Sequence, residues 1–133
     1  MVDSLVVNPE VRAGSLLISE LRQSGIGVRA AAWVFDEQKN RWLLHIAAPW
    51  PHGNVYMNLT RFFGLGIAPS AASIEISRAI KLEDVVPHQP DSAYGRALAK
   101  LSETSSGTAV LRIRDRYLEG IFFSEAIVYS LAP

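Results

Sequence analysis

The chain has no cysteine among its 133 residues, which excludes disulfides, thiolate metal sites and a cysteine nucleophile, and fits a reducing compartment. It also lacks a charge excess: 13 Lys and Arg balance 13 Asp and Glu, for a formal net charge of zero. Long-range electrostatics therefore does not draw the whole molecule to nucleic acid or to an anionic membrane, and either role needs a local patch. No apolar run approaches the roughly 20 residues of a spanning helix. The first residues, MVDSLVVNPEVR, lack the basic segment and long apolar stretch of an export signal. Together these absences predict a soluble, unexported protein, with the cytoplasm as the default location. Charge of either sign is also sparse, 20 % of residues against 49 % apolar, at the apolar end for a soluble domain. That excess predicts a surface covered by a partner, most simply a second copy in a homodimer. A chain of this length suits a single domain, residues 1–133, and can bury roughly two-thirds of the surface its unfolded form exposes.

Signatures of chemistry are equally scarce. Gly25-Ile26-Gly27-Val28-Arg29-Ala30 has the letters of a dinucleotide-binding turn. It follows a helical pattern and opens a strand, whereas phosphate binding needs a strand feeding a glycine turn into a helix N-terminus. Gly64-Leu65-Gly66 leads into Ile67-Ala68-Pro69 without a third glycine and reads as a helix stop. The three histidines, His45, His52 and His88, include no pair at the i, i+4 spacing that sets two imidazoles on one helical face around a metal. Ser92, His88 and Asp91 spell a hydrolytic triad on paper, but no G-x-S-x-G elbow exposes the serine, and Asp91 and Ser92 serve better as helix caps. No metal and no cofactor are expected.

What the sequence does contain is a two-faced hairpin over residues 28–48. If Asp36 pairs with Arg41 across an EQKN loop, Phe35 faces Trp42, Val34 faces Leu43, Trp33 faces Leu44 and Ala32 faces His45. One face then carries Ala31, Trp33, Phe35, Trp42, Leu44 and Ile46. The other carries Ala30, Ala32, Val34, Leu43, His45 and Ala47. Neither is made for water. The aromatic face reads as core; on the alanine face, packed helices, a second subunit or a ligand must exclude solvent.

Around the hairpin, Asn8-Pro9-Glu10 caps a first helix ended by Gly25, with Val11, Leu17, Ile18 and Leu21 on its apolar stripe. Helical structure beginning earlier, near Asp3, is also open. Val55, Leu59, Phe62 and Phe63 mark a second helix over 54–64. Alternating Ile74 and Ile76 predict a strand over 73–78, and a loop with Pro87 and Pro90 follows. Asp91 or Ser92 caps a third helix carrying Tyr94, Leu98 and Leu101 and running to about Glu103. TAVLRIR, YLEGIFF and EAIVYSL predict two or three antiparallel strands. The order αββαβαββ, with one more strand possible, gives an α+β fold: an antiparallel-rich sheet of about five or six strands, the hairpin near its centre, and about three helices packed against it.

The segments G-I-G-V-R-A-A-A-W-V-F-D, R-W-L-L-H-I-A-A-P and G-I-F-F-S-E-A-I-V-Y resemble a group of small uncharacterised bacterial α+β proteins. The likeness spans most of the chain and rests on turn and core residues. It implies one intact α+β domain and transfers no catalytic residue.

The candidate ligand-binding residues are His45, Trp50, His52, Arg112 and Arg114. His45 is a titratable imidazole among small residues that leave space beside it. Trp50 and His52 lie in the APWPHGN loop, where a tryptophan between prolines either anchors an interface or caps the core. Arg112, Arg114 and Arg116 alternate along a predicted strand as a cationic ridge, suited to phosphate or carboxylate but equally to a solvated strand face. The leading expectation is a non-catalytic interaction or regulatory module that self-associates. The alternatives are a small enzyme or ligand sensor with a pocket near His45 or His52, and weak nucleic-acid binding through the three arginines.

Overall fold

A computed structural model of the chain describes residues 9–51, 53, 55–64, 70–104 and 110–131. The capping role of Asn8, an earlier helix start near Asp3, and His52 lie outside them.

The hairpin forms with the expected register. β1 (Ala30–Asp36) and β2 (Arg41–Ala47) are antiparallel, with Ala32 opposite His45, Trp33 opposite Leu44 and Asp36 opposite Arg41. The Asp36 carboxylate accepts the Lys39 backbone N–H at 3.0 Å, and Asn40 takes a left-handed φ of 55° to close the four-residue loop. On the aromatic face, Phe35 meets Trp42 edge to face with ring centroids 5.5 Å apart.

Helix α1 (Pro9–Gln23) precedes the hairpin and buries Val11, Leu17, Ile18 and Leu21. It ends in a Schellman turn: Ile26 N–H bonds Leu21 C=O at 3.0 Å, Gly25 N–H bonds Arg22 C=O at 3.1 Å, and Gly25 supplies the positive φ, 90°. After the hairpin, α2 (Val55–Leu59) runs into a 3₁₀ turn over Thr60–Phe63, and Gly64 stops it in the left-handed region.

Residues 73–78 are not a strand. They belong to α3 (Ala71–Ala79), whose start is set by a capping box in which Ser70 and Ser73 exchange side-chain and backbone hydrogen bonds. Two isoleucines two apart fit either period. Here Ile76 is fully buried while Ile74 is 42 % exposed, and the buried set Ser73, Ile76 and Ile80 has helical spacing. Ser70→Ala should lower stability by about 1 kcal/mol, read from the urea midpoint.

The segment expected to be a loop contains the missing strand, β3 (Val85–His88), which follows a 3₁₀ turn over Leu82–Asp84 and pairs parallel to β2. Pro87 is tolerated because β3 is an edge. Helix α4 (Ala93–Thr104) follows, then β4 (Val110–Leu118) and β5 (Ile121–Tyr129). The C-terminal region yields two strands because YLEGIFF contains their turn, with Glu119 and Gly120 at φ 52° and 78°.

Among the described residues the order is therefore αββααβαββ, with four α-helices instead of about three. The fold is α+β with a five-stranded mixed sheet, β3-β2-β1-β5-β4. Both hairpin faces are covered by helices. Ala31, Trp33, Leu44 and Ile46 join α1, α3 and the Thr60–Phe63 turn in one core, and Ala30, Ala32, Val34 and Ala47 join Ala97, Leu98 and Leu101 of α4 in the other. Two buried hydrogen bonds stitch the first core: Trp33 Nε1–H donates to the Tyr129 hydroxyl at 2.9 Å, and that hydroxyl donates to Val11 C=O at 2.6 Å. Among the described residues no helix is long and apolar enough to cross a membrane.

Candidate functional site

His45 points from β2 to the alanine face, and the structure answers what lies against it: the first turn of α4. Ser92 caps that helix, accepting the Gly95 N–H at 3.0 Å and donating to Gln89 C=O at 2.8 Å. This anchors the helix start over β2 and β3 and lays Tyr94 onto the sheet. The parallel register sets His45 beside Val86 and Ala47 beside His88, so the two imidazoles lie diagonally on one face. His45 Nδ1 and His88 Nε2 are 2.8 Å apart.

The two imidazoles are nearly coplanar, 11° apart, with centroids separated by 5.1 Å. They therefore meet edge to edge through their shared hydrogen bond. The Tyr94 ring lies 4.5 Å from His45 and 4.4 Å from His88, within 16° and 7° of parallel. Those distances place the phenol ring above the bond that joins the imidazoles. Phe123 of β5 closes the group, its ring edge-on to Tyr94 at 5.5 Å.

Burial decides the protonation of this cluster. His45 is pushed down to about 3, first by desolvation and then by His88 and Lys39, against an upward pull from Asp36. Burial likewise takes His88 down to about 4. Tyr94 is pushed up to about 12 by burial and by Asp36. Near neutral pH both imidazoles are uncharged and share one proton between facing nitrogens. A base so weak is poorly matched to proton transfer at neutral pH. Two nitrogens on one zinc, each about 2.0–2.1 Å from it, stand more than 3 Å apart. The facing pair, at 2.8 Å, is bonded to itself and leaves no such gap.

Trp50, Arg112 and Arg114 sit apart from this cluster. Trp50 is buried in the core beneath α1 and α3, donating from Nε1 to Ile46 C=O at 3.3 Å, and its own carbonyl accepts from Gln89 Nε2 at 3.0 Å. It caps the core. Arg112 and Arg114 share a sheet face and both pair with Glu125, Arg114 Nε lying 3.5 Å from its carboxylate.

Arg116 does not continue that ridge. It pairs in register with Phe123, whose ring lies in the core under α4, whereas Arg112 pairs with Ile127 of the opposite core. Directly opposed residues share a face. The reversal occurs at Asp115, where a φ of 50° breaks the alternation.

By sequence alone His88 falls in the loop with Pro87 and Pro90, and Tyr94 on an ordinary helical stripe. The only available signal was their closeness, His88 and Tyr94 flanking a capped helix start. A groove of about 480 Å³ lies elsewhere, between α1 and α3, where Glu10, Arg12, Glu75 and Arg78 mix both signs of charge. No protein-family model, curated protein or solved structure matches the chain.

Proposed function

We propose that this chain is a non-catalytic interaction module that self-associates. The observation that carries the first part is the closed state of the His45, His88 and Tyr94 cluster. The facing nitrogens of His45 and His88 bind each other, Tyr94 covers their rings, and burial holds both imidazoles neutral. Such a cluster locks α4 onto the β2–β3 junction, which is a structural duty.

The second part rests on the apolar surplus left on the helical layer, where Met57 is 67 % exposed and Tyr56 and Ile74 are also open. A second copy covering these side chains would remove apolar surface from water at roughly 25 cal/mol per Å². Sedimentation equilibrium tests this: a dimer that dissociates on dilution is expected, and Met57→Asp is expected to make it monomeric. A wild-type monomer at high micromolar concentration would overturn the self-association.

A small-ligand sensor built on His45 is the competing class. In a thermal-shift screen of metabolites, ligands that stabilise the wild type but not a His45→Phe variant would favour it.

A further inference from the structure

The sheet ends at β4, which pairs with β5 on one side and has no neighbouring strand on the other among the described residues. Nine residues, Val110–Leu118, thus present a row of backbone N–H and C=O groups outward. The edge is cationic although the whole chain is neutral: Arg112, Arg114 and Arg116 outnumber Asp115. Glu125 engages Arg112 and reaches Arg114 at 3.5 Å, yet the Arg114 side chain stays 64 % exposed. Arg116 is exposed on the other face of the strand. At the far end an aromatic pair, Tyr117 and Phe122, lies open to solvent, 69 % and 49 % exposed, with ring centroids 5.5 Å apart.

A second copy of β4 is a poor occupant. Antiparallel pairing about a two-fold axis on residue 113 sets Arg112 opposite Arg114, an axis on 114 sets Arg112 opposite Arg116, and an axis on 115 sets Arg114 opposite Arg116. Like charges directly opposed are destabilising. A nucleic-acid backbone fits less well than a polypeptide. The arginines are divided between two faces, and the edge carbonyls repel phosphate, whereas a peptide strand supplies N–H groups to those carbonyls and carboxylates to the guanidinium groups.

We propose that β4 is the docking edge for an extended acidic segment of a protein partner. The segment joins the sheet as a sixth strand, with Asp or Glu beside Arg114 and Arg116 and an apolar side chain against Tyr117 and Phe122. This rests on the interaction-module reading and names the partner chemistry of one of its surfaces.

The test uses a fluorescein-labelled peptide of repeating Glu-Glu-Val-Val, which carries carboxylates on both faces of a strand, titrated into the full chain and followed by anisotropy. Saturable binding is expected that weakens with salt and falls at least about tenfold, or 1.4 kcal/mol, in Arg114→Glu plus Arg116→Glu. Both positions are exposed, and matching thermal melts of variant and wild type establish that the fold is intact. The matching Lys-Lys-Val-Val peptide should not bind, and N-methylation of alternate amides of the Glu-Glu-Val-Val peptide should abolish binding because it removes the ladder donors. No saturation, binding indifferent to the arginine substitutions, or binding of single-stranded RNA in place of the peptide would each overturn the proposal. If the peptide fails while sedimentation shows a dimer, the edge assignment falls and the interaction reading stands.

Discussion

Gly14→Ala should destabilise the protein by about 3 kcal/mol, although it replaces glycine by the best helix former in the middle of α1. Helix propensity alone favours the change by about 1 kcal/mol. Packing opposes it more strongly. A Cβ at position 14 would overlap the Tyr129 hydroxyl and come within 3.1 Å of Trp33 Nε1. That hydroxyl cannot swing aside cheaply, because it accepts from Trp33 and donates to Val11 C=O in a buried setting. Overpacking typically costs about 1–3 kcal/mol and each stranded buried polar group about 1–3 kcal/mol. Their sum exceeds the propensity gain.

Tyr129→Phe offers an internal control. On its own it strands the buried Trp33 N–H, but it also frees the space a new Cβ needs. The double variant Gly14→Ala plus Tyr129→Phe should therefore be less destabilised than the sum of the singles, a coupling of about 1 kcal/mol measurable by urea denaturation. Strict additivity would show that the glycine is not there to admit the phenol.

Acid should unfold the protein earlier than its carboxylates alone would dictate. His45 and His88 titrate near 6.5 when unfolded and near about 3 and 4 when folded. Between those values the unfolded chain binds more protons, so stability is fully present above pH 6.5 and drains away as pH falls toward 4. Each unit below 6.5 costs about 1.4 kcal/mol per buried imidazole. At pH 5 this is about 2 kcal/mol for His45 and less for the more open His88, a large share of a typical stability of about 5–15 kcal/mol. Thermal melts from pH 7.5 to 4.5 measure the slope, and His45→Phe should roughly halve it while keeping a ring beneath Tyr94. A His45 ring proton titrating in NMR near pH 6.5 would show that the imidazole is not held neutral by burial.

The parts legible in the sequence are those with redundant local signals. Two seven-residue runs joined by four polar residues admit only one register that pairs Asp36 with Arg41, and it is the observed one. Proline at the start and Gly25 at the end bracket α1 in the same way, and of the two cap candidates Asp91 and Ser92 it is Ser92 that caps α4.

The failures have a common physical origin in contacts distant along the chain. Ile74 and Ile76 cannot by themselves distinguish a period of 2 from one of 3.6; the Ser70 and Ser73 exchange and the docking of Ile76 do. β3 has four residues, one of them proline, and exists because β2 lies alongside it. The imidazole pair needs that same parallel register, so neither His45 nor His88 advertises the other. Asp115 reverses the facing of Arg116 with a left-handed φ that a non-glycine residue does not announce.

The strand order also governs when the molecule can assemble. β1 stands at the centre of the sheet, yet one of its two neighbours, β5, follows every other described strand in chain order. The Tyr129 hydroxyl bonds residues 96 and 118 positions away, so the core beneath α1 has no final form until that strand arrives. Contacts of such long range slow folding. On the ribosome, β1 waits with one edge unpaired until β5 has been made, an interval that exposes the growing chain to aggregation.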